Sequence, residues 1–142
     1  MKKILLLTLI MSVMACENRR ASEEIAKEPS TDANVVEVLY FHGKQRCLTC
    51  RAIEMYARQV VDSAFADQVN RGEVVFRAVD ITREEALADK YEISWSSLVI
   101  VGKTNSVETA ENMTEFAFAN ARKSPDVFKK GVTEVINKML ND

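Results

Sequence analysis

The chain of 142 residues is about one domain long, and its 47% hydrophobic and 28% charged content excludes a disordered tail, a collagen-like array and a low-complexity repeat. Its 19 Lys and Arg against 21 Asp and Glu give a net charge of −2, without the basic excess of a nucleic-acid binder. A single His and 3 Cys would make a four-ligand zinc site only if all of them converged.

Lys2 and Lys3 precede an apolar run from Ile4 to Met14. At about 11 residues the run is too short to cross a bilayer as a helix, which takes about 20, but it has the length of a secretory h-region. It ends in Val13-Met14-Ala15-Cys16, which resembles the lipobox of bacterial lipoproteins, where the signal is cut before a Cys that then carries the lipid. The resemblance implies a signal peptide at 1–15, lipidation at Cys16, and a chain anchored on the periplasmic side of the bacterial cell envelope. Disulfides can persist there. An ordinary signal peptide with a coincidental Cys is the other reading. Losing Lys2 and Lys3 would leave the mature chain two charges more acidic, with no electrostatic reason to lie on an anionic membrane, so the lipid would be the tether. Residues 16–33 comprise Cys16 and a polar stretch at 17–33 (ENRRASEEIAKEPSTDA) that reads as a flexible linker, and the folded domain is expected at 34–142.

Residues 35–41 (VVEVLYF) are apolar at nearly every position, the pattern of a strand covered on both faces within an α/β sheet. His42-Gly43-Lys44-Gln45 reads as a loop. From Leu48 to about Val69, the positions Ile53, Tyr56, Ala57, Val60, Val61, Ala64 and Phe65 recur at three- and four-residue spacing and predict one long helix. Gly72 is placed to cap it in the left-handed conformation. Residues 73–81 predict a second strand, and Thr82 with Glu85 a capping box that opens a short helix. Residues 97–102 predict a third strand, 106–110 a weaker fourth, and 112–122 a helix. Ser124 before Pro125 starts a last helix that buries Phe128, Val132, Val135, Ile136, Met139 and Leu140. The order is β-α-β-α-β-β-α with an extra helix before the last.

Cys47-Leu48-Thr49-Cys50 falls where the first loop turns into the first long helix. Two Cys three apart at a helix start bring their sulfurs within bonding reach. The unpaired N–H groups and the positive dipole end of the helix stabilise a thiolate at Cys47. Lys44, Arg46 and Arg51 add cationic flanks, with no acid before Glu54. Cys47 is therefore expected to be an exposed nucleophile of lowered pKa, and Cys50 a more buried resolving thiol. A zinc ribbon would need a second Cys pair after Cys50, which the sequence lacks. A purely structural bridge would close too short a loop to remove much chain entropy.

The strand, the Cys-x-x-Cys at a helix start and the element order that follows resemble the thioredoxin fold over about residues 35–142. The resemblance implies an α/β fold with a central mixed four-stranded sheet flanked by helices. It implies a thiol–disulfide oxidoreductase acting through Cys47 and Cys50 on a protein thiol or disulfide partner, with no cofactor. Trp95-Ser96-Ser97 resembles the substrate-docking tract before the third strand, where that family keeps a cis-proline; Ser97 takes that place here. Arg46 replaces the usual Trp, and Phe41, nine residues before Cys50, stands where thioredoxin keeps a buried Asp. Tyr40-Phe41-His42-Gly43 and Arg46-Cys47-x-x-Cys50 are also similar to thioredoxin-like bacterial lipoproteins of the nitrophenyl compound nitroreductase subunit ArsF family, which implies a partner protein.

His42 is expected either to shuttle a proton for the pair or to end its strand bonded to a loop carbonyl. Tyr91 and Trp95 are docking candidates, at least one of them core, while Met113, Phe116 and Phe118 read as packing. Two other functions stay open. One is an accessory subunit of a membrane redox or nitroreductase system without catalysis of its own. The other is a lipoprotein that holds a thiophilic metal on Cys47 and Cys50.

Overall fold

The computed structural model describes residues 34–104 and 107–141. The expected signal peptide, Cys16 and the linker lie outside the described residues.

Strand β1 (Val35–His42) is central, because every residue but Glu37 is buried. It pairs in parallel with β2 (Val74–Asp80) and antiparallel with β3 (Ser97–Thr104), which in turn pairs antiparallel with β4 (Val107–Asn112). The sheet order is β2-β1-β3-β4, the mixed four-stranded sheet that the resemblance implies. Helix α1 (Leu48–Ala64) and α2 (Ala66–Arg71) follow β1, α3 (Glu85–Lys90) follows β2, and α4 (Thr114–Asn120) and α5 (Pro125–Asn141) follow β4. This is a thioredoxin-like α/β fold.

Alternation along the strands divides the core in two. On one face Val36, Val38 and Tyr40 pack with Cys50, Ile53, Ala57 and Val61 of α1 and with Phe128, Val132 and Ile136 of α5. On the other, Leu39, Phe41, Val79, Val99 and Val101 pack beneath Ala88 of α3 and Ile93. Lys90 Nζ and the Tyr91 hydroxyl hold Glu108 of β4 at 2.6 and 3.0 Å, tying α3 to the sheet edge.

The local signals divide into those the chain uses and those it does not. Gly72 closes α2 at φ 76°, and Pro125 is the first residue of α5, both as expected. The single helix from 48 to 69 is instead two. Phe65 leaves the helical region (φ −124°, ψ 25°) with its ring in the core, and Val69 turns outward, 38% exposed. The Thr82–Glu85 capping box does not form. The Asp80 carboxylate accepts from both the Thr82 N–H (2.9 Å) and its hydroxyl (2.8 Å), and α3 opens after Glu84 with no side-chain cap. The Thr82 hydroxyl donates to a carboxylate two residues upstream, a bond of the turn and not a helix cap.

Candidate functional site

Cys47 is the N-cap of α1, with extended backbone (φ −70°, ψ 169°). Its Sγ accepts the Cys50 N–H at 3.1 Å, so the sulfur stands where a Ser or Asp side chain would cap a helix. Cys47 is exposed and Cys50 is 6% exposed, both as free thiols. Hydrogen bonding from the Cys50 side chain, then from the Cys50 backbone N–H, holds the Cys47 thiol below its ordinary range. A sulfur that can be reached and already carries donors has surroundings that favour its ionised form, with a second thiol buried one turn behind it.

The three cations do not meet the thiolate in one way. Lys44 and Arg51 are exposed. Arg46 turns inward to pair with Glu54 of α1, and its other nitrogen lies 2.7 Å from His42 Nε2. The leading influences that lower Cys47 are the hydrogen bonds from Cys50. His42 is 9% exposed at the end of β1, its Nδ1 3.1 Å from the Gly43 carbonyl. A carbonyl only accepts, so Nδ1 carries the proton and Nε2 receives the Arg46 N–H. Both ring nitrogens are committed, and proton shuttling through His42 would first require Arg46 to let go of Nε2.

The tract before β3 leads into the strand that pairs with β1. Ser97 is buried, pairs in register with Phe41, and donates its hydroxyl to the Trp95 carbonyl at 3.0 Å. Ser96 lies beside the Tyr40 hydroxyl. Trp95 is 58% exposed and rests on Phe118 (centroids 5.5 Å apart), whereas Tyr91 packs edge-on against Phe41, so Trp95 alone stays presented to solvent. Leu48, 67% exposed, adds apolar surface next to Cys47.

One placement read from the resemblance is corrected. Phe41 does not underlie the Cys pair; it points to the far face of the sheet with Leu39 and Val79, and Tyr40 is the β1 side chain that shares the Cys50 cluster. Sequence reasoning missed Tyr40 and the Arg46–Glu54 pair. Among the described residues no group of three or more His, Cys, Asp or Glu could hold a metal ion. No helix among them is long and apolar enough to cross a membrane.

Fold and site together describe a thioredoxin-like domain with a Cys-x-x-Cys at the start of its first helix. No family model matches the chain, and no curated protein matches it. It is similar to several solved structures. Thioredoxin-2 of the malaria parasite, a component of protein secretion machinery, is 19% identical over 74% of this chain and 84% of its own, with a TM-score of 0.47. Zinc-bound human ERp44 is 19% identical at a TM-score of 0.47, covering 76% of this chain but 27% of its own. A reduced thioredoxin pre-protein of Schistosoma mansoni is 21% identical over 68% of this chain and 79% of its own, at a TM-score of 0.33.

Proposed function

We propose that the protein is a thiol–disulfide oxidoreductase of the bacterial cell envelope, tethered through a lipid on Cys16 and the linker of residues 16–33. The observation that carries the redox part is Cys47 itself: exposed, at the cap of α1, its sulfur already accepting the Cys50 N–H, with Cys50 buried behind it. The Cys47 thiolate attacks a partner disulfide, forming a mixed disulfide and releasing one partner sulfur as thiolate. Cys50 then attacks Cys47 Sγ, the bond to the partner breaks, and the Cys47–Cys50 bond forms. The partner is reduced by two electrons and the pair is oxidised by two; run backwards, the same steps oxidise a partner dithiol. Exposed Leu48 and Trp95 offer apolar contact for an incoming chain. The tether and the envelope rest on the lipobox-like Val13-Met14-Ala15-Cys16, and the resemblance to nitroreductase subunits supplies the expectation of a partner protein in the same membrane.

The test is the reduction potential of the pair, measured on the chain with Cys16→Ser, equilibrated in graded thiol–disulfide buffers and read by mass after alkylation. A reversible couple between about −120 and −270 mV is expected, the range of known oxidoreductases. A bridge that stays closed below about −300 mV, or never forms, refutes the proposal.

A further inference from the structure

The loop that leads into Cys47 is fastened by side chains. Among the described residues no backbone-to-backbone hydrogen bond holds Gly43, Lys44, Gln45 or Arg46. On either side of them the backbone is tied: the His42 carbonyl accepts the Ile81 N–H and the Cys47 carbonyl the Arg51 N–H, each at 3.0 Å. Lys44 and Gln45 are exposed. Two side chains close the gap. His42 Nδ1 donates to the Gly43 carbonyl at 3.1 Å, and the Arg46 guanidinium donates both to His42 Nε2, at 2.7 Å, and to the Glu54 carboxylate. Glu54 lies about two turns into α1, so one planar head joins the end of β1, the loop and the body of the helix. The Arg46 and Glu54 side chains are 29% and 20% exposed and His42 is buried, so these charge-assisted bonds are partly withdrawn from water, where they are stronger than at the open surface. The Arg46 backbone is bonded directly to Cys47. Its place therefore sets the φ with which Cys47 enters the helix, and with it the 3.1 Å approach of Cys47 Sγ to the Cys50 N–H.

Resting on the exchange chemistry above, we propose that Arg46 is a positioning residue: by clasping His42 and Glu54 it fixes the loop, and the loop fixes Cys47 in the capping geometry from which its sulfur reacts. The simpler role for a cation next to a thiol is to attract the thiolate by charge. The geometry speaks against that role. The charge of Arg46 is met by that of Glu54, and a cation paired with a carboxylate exerts little net field on a third group. Its hydrogen bonds go to His42 and Glu54, and among the described residues none of these three side chains bonds to either sulfur. Two partners approached at once from different elements call for the rigid fork of a guanidinium, which an ammonium of equal charge lacks. His42 also gains a part in the same device. The Gly43 carbonyl holds the proton on Nδ1, and Nε2 is thereby kept as the acceptor that Arg46 needs.

The experiment uses the full chain with Cys16→Ser, reduced and alkylated with iodoacetamide across about pH 5 to 10, with Cys47 and Cys50 followed separately by mass. Arg46→Ala is expected to slow Cys47 about threefold at neutral pH, the worth of a hydrogen bond to a charged but exposed sulfur. Its midpoint should move towards alkaline pH, while the alkaline plateau and the slow reaction of buried Cys50 stay as in the parent. Arg46→Lys, which keeps the charge and loses the fork, is expected to behave like Arg46→Ala. His42→Ala combined with Glu54→Ala is expected to reproduce the loss, and adding Arg46→Ala to that pair to change nothing more. A parent-like midpoint in Arg46→Ala or in Arg46→Lys overturns the proposal. So does a further loss when Arg46 is removed from the double variant, since Arg46 would then act by charge. Faster alkylation of Cys50 in Arg46→Ala overturns it as well, because the residue would then hold the fold at large and not Cys47. Alkylation needs no disulfide partner, so these failures are distinct from failure of the exchange chemistry, which the reduction potential of the pair decides.

Discussion

If hydrogen bonds from Cys50 are what make Cys47 acidic, removing the Cys50 side chain should raise the Cys47 pKa by a definite and partial amount. Cys50→Ala deletes the leading influence, the thiol donor, but leaves the backbone N–H that meets Cys47 Sγ at 3.1 Å. A hydrogen bond to a charged group contributes about 1.5 kcal/mol at the low end of its range. Cys47 is exposed, so water competes for its sulfur and about half of that survives. The remainder corresponds to about half a pKa unit, or about a threefold drop in thiolate at neutral pH. The assay is the rate of iodoacetamide alkylation from pH 5 to 10 in the Cys16→Ser background. The parent chain should titrate below the free-thiol value of about 8.5, and Cys50→Ala between the two. Lys44→Gln and Arg51→Gln should move the midpoint less than Cys50→Ala does, because both side chains are exposed and screened. A parent midpoint at the free-thiol value, or a larger effect from the two cations than from Cys50, would refute the reasoning.

Four further substitutions concern the scaffold. Phe128 is fully buried between α1 and α4, in ring contact with Tyr56 and Phe116, so Phe128→Ala should cost about 3–5 kcal/mol in urea unfolding. Gly72→Ala should cost about 1–2 kcal/mol through its positive φ alone, since an added Cβ there would meet nothing within 4 Å. Gly43→Ala, equally open and without a positive φ, should cost nothing measurable. The Asp80 carboxyl is held below its ordinary value by the Thr82 backbone N–H and then the Thr82 hydroxyl. Its contribution is therefore present above about pH 4 and lost as pH falls through the lowered value. The melting-temperature gap between the parent and Asp80→Asn should be constant near neutrality and narrow in acid.

Much of the architecture could be read from the chain because its punctuation is chemical. Gly72 and Pro125 mark ends that only their backbone types suit, and a Cys-x-x-Cys followed by apolar spacing announces a helix whose first turn holds two sulfurs. The bend at Phe65 was hidden because apolar residues keep helical spacing straight through it. The phase of β1 was hidden for the opposite reason. With Leu39, Tyr40 and Phe41 all apolar, no alternation says which of them faces α1, and a one-residue ambiguity exchanges the two faces. That ambiguity is what concealed Tyr40. The Arg46–Glu54–His42 cluster was equally invisible, since its members lie on a loop, a helix and a strand whose mutual angles no local pattern encodes.

Strand β1 lies between two partners made later in the chain, and its antiparallel partner on one side is Ser97–Thr104. During synthesis or refolding, its apolar run must wait for most of the domain before that side is closed. Such a segment, rich in β-branched and aromatic residues, can pair with a copy of itself in the interval. Glu37 is the one charge in the run. In the finished sheet it meets Lys103 of β3 at 2.6 Å, but before β3 arrives it stands alone among apolar neighbours. The same side chain that pairs across to β3 in the native state thus places a charge that repels like strands before β3 arrives, as a gatekeeper would.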